Sequence, residues 1–262
     1  MKRINLVLPA AGIGSRFRES GELTPKPLIK VFGVPMILWV LLNFPLNNDD
    51  RVWIIGQRKD KLLDALEPFL KFLPFGVEFI EIDGLTEGPA ATVALVLSNL
   101  PASEGLIVAN TDQFVFEDLK SFVNEVRNGS SAGQILTMIA NSNAWSYVGR
   151  NDLDEINQVV EKVQISDEAT VGVYGWCDTE FAKVSFEDTF QNNIRTNNEF
   201  YVAPTYNYLI RGNHRVASVL IGHHGVAVHG LGTPSDLSDF LSNPNAILAS
   251  GVIRSRLGLE HS

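Results

Sequence analysis

The spacing of apolar positions divides the chain into a regular first half and a looser second half. Residues 4–8, an apolar run ending at Pro9, predict a first buried strand. Met36 to Phe44 is apolar and opens after Pro35, which suits the first turn of a helix. Val52 to Ile55 predicts a second strand. Across Asp60 to Phe72, Leu62, Leu63, Leu66 and Leu70 recur near the helical period. Val77 to Ile82 alternates apolar and acidic residues, as a third strand would. Pro89 to Leu100 reads as a helix with a glycine just before it, and Leu106 to Ala109 as a fourth strand. This alternation argues for an α/β fold, a mostly parallel sheet with helices on both faces.

In the second half, Gln134 to Ala140, the neighbourhood of Val148, Ile156 to Val163 and Val171 to Trp176 read as strands. Thr179 to Asn192 predicts a helix, Val226 to Val228 a short strand, and Pro234 to Leu241 a last helix. No internal repeat, low-complexity tract or linker interrupts the pattern, so 1–262 is read as a single domain.

Composition narrows the function classes. The 262 residues are 45% hydrophobic and 19% charged, enough for a large core. A net charge of −9 without any basic run argues against a nucleic-acid surface. Small anionic substrates need only a local cationic cluster, for which Arg16, Lys26 and Lys162 are candidates. The single cysteine, Cys177, forms no intrachain disulfide and has no partner at ligand spacing, so it reads as structural. No apolar stretch approaches the ~18 residues of a membrane span. The basic start Met1-Lys2-Arg3 precedes too short an apolar run for a signal peptide, so the expected location is cytoplasmic.

The candidate chemistry concentrates after the first strand. Pro9-Ala10-Ala11-Gly12-Ile13-Gly14-Ser15-Arg16-Phe17 strips side-chain bulk from a loop whose backbone N–H groups form an anion-binding concavity. Phe17 stands where a dinucleotide fingerprint needs its third glycine, and no Gly-Lys-Ser/Thr follows as in a P-loop. An ordinary strand-to-helix turn remains the plain alternative. Pro25-Lys26-Pro27 is a poor helix or strand former and holds a lysine in a stiff, extended segment, which points to a fixed target. Together they read as a loop that wraps a nucleoside triphosphate. Asp112, closing Asn110-Thr111-Asp112 after the fourth strand, is a candidate Mg²⁺ ligand at the strand ends where such sheets bind ligands. Its alternative is a turn or helix-capping aspartate. Glu161-Lys162 at a strand end would alone read as a solvated pair. His223-His224 and His229 lack a second ligand pair at zinc spacing.

Gly12-x-Gly14-Ser15-Arg16-Phe17 with Pro25-Lys26-Pro27-Leu28 resembles the signature of the sugar-phosphate nucleotidyltransferases, or nucleotide-sugar pyrophosphorylases. The Pro9-Ala10-Ala11-Gly12 opening and Gly33-Val34-Pro35-Met36-Ile37 fit too, and weaker likeness runs to about Phe240. Within the family the chain resembles the bacterial branch associated with capsule and lipopolysaccharide sugars. The resemblance implies a GT-A-like, Rossmann-like sheet and a reaction of NTP with sugar 1-phosphate to give NDP-sugar and pyrophosphate. It implies that Arg16 and Lys26 hold the triphosphate, that Lys162 holds the acceptor phosphate, and that Asp112 binds the magnesium. Ala10, Ala11, Gly12, Gly14, Ser15, Gly88 and Ala90 would meet the nucleotide. Gly149, Glu161, Gly172, Glu199 and Asn207 would line the sugar-phosphate side, with Tyr201, Tyr206 and Tyr208 as packing residues. Residues 1–130 would be mainly the nucleotide half and 131–262 mainly the acceptor half, with homo-oligomerisation left open. Gly230-Leu231-Gly232-Thr233-Pro234 departs from the pattern: many relatives carry a second metal aspartate where this chain has Gly230. A GT-A glycosyltransferase and a non-catalytic nucleotide-sugar-binding regulator are the alternatives.

Overall fold

The computed structural model describes residues 1–129 and 131–259. β1 (Ile4–Pro9) leads through the short α1 (Ser15–Glu19) and a 3-10 turn at Lys26–Leu28 into a small hairpin, β2 (Lys30–Val31) and β3 (Val34–Pro35). There follow α2 (Met36–Leu41), β4 (Arg51–Gln57), α3 (Leu62–Leu70), β5 (Gly76–Ile82), α4 (Pro89–Leu97) and β6 (Gly105–Ala109). β7 (Gln113–Val115) and α5 (Lys120–Asn128) precede β8 (Gly133–Ile139), β9 (Ser146–Arg150), β10 (Ile156–Glu161) and β11 (Glu168–Trp176). The chain continues with α6 (Thr179–Gln191), α7 (Tyr206–Arg211), β12 (Val216–His223), β13 (Val228–Gly230), α8 (Pro234–Ser242) and α9 (Pro244–Arg256).

One sheet draws strands from both halves in the order β10-β9-β11-β6-β1-β4-β5, with β8 joining β11 to β12. The β6-β1-β4-β5 portion is parallel, with Leu6 facing both Val52 and Ile107. β11 runs antiparallel to β6 and continues into the antiparallel β9 and β8. Alternation along β1 explains the layers. Ile4, Leu6 and Leu8 enter one core with Trp39, Phe122 and Phe240, whereas Val7 enters the other with Val93, Trp176 and Phe186. A parallel sheet buried on both faces reads as such apolar runs.

Phe240 of α8 packs edge-on against Trp39 of α2, with ring centroids 5.4 Å apart. β13 pairs with β7, bringing Gly230 opposite Gln113. These contacts deliver the Gly230–Thr233 turn, far along the chain, to the end of β6.

Most predicted elements form, with shifted ends. The helix expected over 60–72 is shorter, because Lys61 adopts a left-handed conformation (φ 49°) between a 3-10 turn and α3. The Pro-Lys-Pro segment is extended only at Pro25; Lys26 opens a 3-10 turn. α5, α7, α9, β7 and β12 were not anticipated by the pattern.

Candidate active site

The site forms where β1 and β6 end side by side. After β1, Ala10 N–H donates to the Ile55 carbonyl (2.7 Å), and the Gln57 amide donates to the Ala11 carbonyl (2.7 Å). These bonds hold the loop open, leaving Gly12 exposed with no heavy atom within 4 Å of where a Cβ would stand. Gly14, at φ +66°, starts α1, and a Cβ there would lie 2.9 Å from Lys26 Cβ. The two parts of the signature therefore meet at this contact, which only glycine permits. Ser15 and Arg16 follow in the first turn of α1, with Arg16 exposed on the cleft wall.

The Lys26 ammonium donates a short hydrogen bond to Asp112 Oδ2. The Asp112 carbonyl accepts from Leu231 N–H (2.7 Å), so the C-terminal turn closes over the pair. A Cβ on Gly232 would lie 2.7 Å from Asp112 Oδ2 and 3.7 Å from Lys26 Nζ. From here a cleft of about 930 Å³ runs into the second half. Arg16, Asp112, Gly172, Glu161 and Lys162 all line it. Gln113 lines it as well, and its buried Oε1 has no hydrogen-bond partner among the described residues. Gly172 packs between Asn110 and Gln113, with its carbonyl accepting from Asn110 N–H (2.9 Å).

At the far end Glu161 is buried and accepts a short hydrogen bond from the Ser146 hydroxyl. Burial pushes its carboxyl above the ordinary value, against the pull of Ser146 and Lys162. Lys162, at φ +58°, turns away from β10 and anchors its N–H on the Trp145 carbonyl (3.0 Å). Its ammonium donates a short hydrogen bond to the Tyr201 hydroxyl, which donates to Glu199 Oε2 (2.7 Å). Thr170 and Tyr174 share a hydrogen bond of 2.9 Å on the cleft floor. Trp145 and His224 form an aromatic pair, ring centroids 5.0 Å apart. Burial lowers the His224 pKa, opposed by the charge of Asp236.

Several sequence assignments meet a different geometry. Asn207 lies away from the cleft, bonding Val159 N–H (2.9 Å) and carbonyl (2.8 Å) as an edge staple. The open side of Gly149 is filled by Gln158, whose Cγ lies 2.7 Å from the Cβ position. Ala90 N–H donates to the Phe200 carbonyl (2.9 Å) and is not free for a base. Gly88 is covered by the same backbone, 2.6 Å from its Cβ position to Phe200 O. Glu199 is exposed and bound to Tyr201 rather than lining the cleft. Tyr201, expected to pack, lines the cleft, whereas Tyr206 is fully buried.

Asp236 stands beside this C-terminal turn. Its carboxylate lies 3.5 Å from the Cβ position of Gly230, where the second aspartate is missing. Thr233-Pro234-Ser235-Asp236 reads as a helix start, and Thr233 Oγ1 does accept from Asp236 N–H (3.1 Å). Thr233 makes the cap, and the Asp236 carboxylate takes no part in it. Among the described residues no group of three or more His, Cys, Asp or Glu side chains forms a cation cage. Asp112, already holding a cationic ammonium, fits Mg²⁺ only as one carboxylate beside phosphate oxygens and waters, a coordination habit of that ion.

The family model of the MobA-like NTP transferase domain matches residues 6–157, more than half of the chain. The chain belongs to this family. The match takes in Arg16, Lys26 and Asp112 and stops short of Glu161 and Lys162. Among curated proteins, the bifunctional protein GlmU of Methanocaldococcus jannaschii is 27% identical over 143 residues, 51% of this chain and 33% of that protein. The chain thus spans about a third of the length of the curated relative it matches. Solved structures share the NTP transferase fold. The nucleoside-diphosphate-sugar pyrophosphorylase from Vibrio cholerae RC9 superposes with TM-score 0.69 at 23% identity, over 91% of this chain and 100% of that one. The inositol-1-phosphate CTP transferase from T. maritima gives 0.72 at 14% identity, over 97% of each chain. The UDP-glucose pyrophosphorylase from Acinetobacter baumanii gives 0.68 at 19%, over 99% and 97%. Among the described residues, no helix is long and apolar enough to cross a membrane.

Proposed function

We propose that the protein is a nucleotidyltransferase joining an NTP and a sugar 1-phosphate, or a similar polyol phosphate, to give the NDP-linked product and pyrophosphate. The observation carrying this reading is the single cleft with Arg16 and the Lys26–Asp112 pair at one end and Lys162 at the other. An acceptor phosphate oxygen attacks the α-phosphorus, and the bond from that phosphorus to the bridging oxygen breaks. Pyrophosphate leaves with the electron pair. The attacking phosphate is already anionic near neutrality, its second pKa being about 6, so no general base is required. Catalysis then consists of holding two anions together and stabilising developing charge. Arg16 and Lys26 bind the triphosphate and the departing pyrophosphate; Lys162 binds the acceptor phosphate. Glu161, fixed by Ser146, accepts from acceptor hydroxyls. Asp112 would hold Mg²⁺, which screens the triphosphate charge when bound.

A cytoplasmic location fits a reaction that draws on NTPs, and the likeness of the signature supports a role in capsule or lipopolysaccharide precursor supply. The deciding experiment measures pyrophosphate release over a panel of the common NTPs with sugar 1-phosphates and inositol 1-phosphate. One productive pair supports the reading. Release of a nucleoside diphosphate from an NDP-sugar would favour a glycosyltransferase, and binding without turnover a regulator.

A further inference from the structure

Lys162 differs from Lys26 in what holds it. Lys26 is neutralised by a carboxylate, whereas the direct partner of the Lys162 ammonium is a neutral phenol. The Tyr201 ring also lies under the ammonium, 4.3 Å from centroid to Nζ. The phenol proton is committed to Glu199, which leaves the oxygen lone pairs to Lys162. Burial, and after it the Glu199 hydrogen bond, raise the Tyr201 pKa far above the ordinary value, so the phenol keeps its proton. A free lysine side chain samples many rotamers. A neutral anchor removes that freedom without cancelling the charge needed by a phosphate.

The anchor itself is tied to the other half of the site. Phe200 N–H donates to the Glu87 carbonyl (2.8 Å), and the Phe200 carbonyl accepts from Ala90 N–H (2.9 Å). Arg195 covers the Phe200 ring, 3.7 Å from its centroid, while donating to Glu87 Oε2 (2.8 Å). The segment bearing Tyr201 is thus docked on the loop that opens α4.

We propose that Tyr201 is a positioning residue, aiming the Lys162 ammonium at the acceptor phosphate in register with the loop at Glu87–Ala90. This rests on the reading of Lys162 as the acceptor cation. Tyr201→Phe keeps the ring and deletes the hydroxyl. Limited reductive methylation with peptide mapping reads each lysine separately, with inorganic phosphate as the probe ligand. Lys162 labelling should rise about five-fold in Tyr201→Phe, the effect of one hydrogen bond, with Lys26 and Lys59, an exposed lysine of the 3-10 turn before α3, unchanged. The phosphate concentration that half-protects Lys162 should rise by a similar factor. Glu199→Gln should shift both in the same direction, and it serves should Tyr201→Phe fail to fold. Where a substrate pair is known, the acceptor KM should rise about five-fold with the NTP KM unchanged. Unchanged Lys162 labelling in both variants overturns the proposal, as does an equal rise in the two KM values. Absence of phosphate protection in the wild type would overturn the role of Lys162 itself, and the proposal with it. Failure to find a productive substrate pair leaves the labelling result standing.

Discussion

The Lys26 ammonium sits on Asp112 Oδ2, with 21% and 22% of the two side chains exposed. In the free protein this lysine occupies the carboxylate proposed above to hold a divalent cation. A triphosphate offers Lys26 a denser anion and offers the metal further oxygens, so nucleotide arrival should release Asp112 from the lysine.

Lys26→Ala should therefore act in two opposite ways. Turnover should fall at least ~10-fold, or about 1.4 kcal/mol of transition-state stabilisation. Mn²⁺ binding to the nucleotide-free protein, followed by electron paramagnetic resonance, should tighten several-fold, because the competing ammonium has gone. Asp112→Asn should abolish metal-dependent turnover with the fold intact. Equal Mn²⁺ binding in wild type and Lys26→Ala would show that Asp112 is not the metal carboxylate.

Gly232 tests how closely the C-terminal turn is fitted to that pair. A methyl there would press on Asp112 Oδ2, the far end of a side chain, so the carboxylate moves and the backbone need not. Gly232→Ala should leave the unfolding free energy within about 0.5 kcal/mol and lower turnover by ~10-fold or more. A large loss of stability with turnover preserved would place Gly232 among purely structural glycines.

The end of the cleft at β1 and β6 was legible in the sequence because its groups are local. Gly14, Arg16 and Lys26 lie within one short stretch, and the β1 and β6 runs announce the strand ends that carry it. The end at Glu161 and Lys162 was only half legible. Tyr201 reaches Lys162 across 39 positions, so spacing does not advertise it. Asn207 misled because an amide that suits a sugar also suits the edge strand β10, and Gly149 because the space it leaves admits the cross-strand Gln158 side chain. β12 was missed although Val219 and Ile221 pack on the core, since exposed Leu220 blurs the period-two pattern.

Outside the cleft, Asp50 and Arg127 form a buried pair that ties α5 to the base of β1. Asp50 accepts from Arg127 Nη1 (2.9 Å) and Nη2 (2.7 Å), from Ile4 N–H (2.8 Å) and from Asn47 N–H (2.7 Å). Burial alone would raise its carboxyl pKa, but these donors outweigh burial and lower it. A depressed pKa means stability that is present above the ordinary 3.8 and lost as pH falls through the folded-state value. Asp50→Ala leaves the guanidinium buried without a counter-charge, its Nη1 still donating to the Lys2 carbonyl (2.6 Å), and should cost roughly 3–5 kcal/mol. Adding Arg127→Met should recover part of it in chemical denaturation, and the folded fraction should keep its kcat.

Glu161 should behave in the opposite sense, because its carboxyl is buried with a single hydroxyl donor and its pKa is raised. A raised carboxyl contributes stability below the ordinary value of 4.5, and that contribution is lost as pH rises through the folded-state value. At neutral pH the wild type therefore holds a charge that folding disfavours. Glu161→Gln keeps the shape, retains an oxygen for Ser146 and does not titrate. Its unfolding temperature should exceed that of the wild type at pH 7, and the difference should shrink as pH is lowered toward 4.5. Acceptor KM should rise by about tenfold, the loss of roughly 1.5 kcal/mol for hydroxyl hydrogen bonds to a charged group, with NTP binding unchanged. Calorimetric scans across that pH range, paired with acceptor and NTP titrations, separate the two effects. A Gln variant less stable than wild type at neutral pH would mean that the carboxylate is paired in the fold after all, and an unchanged acceptor KM would remove Glu161 from the acceptor site.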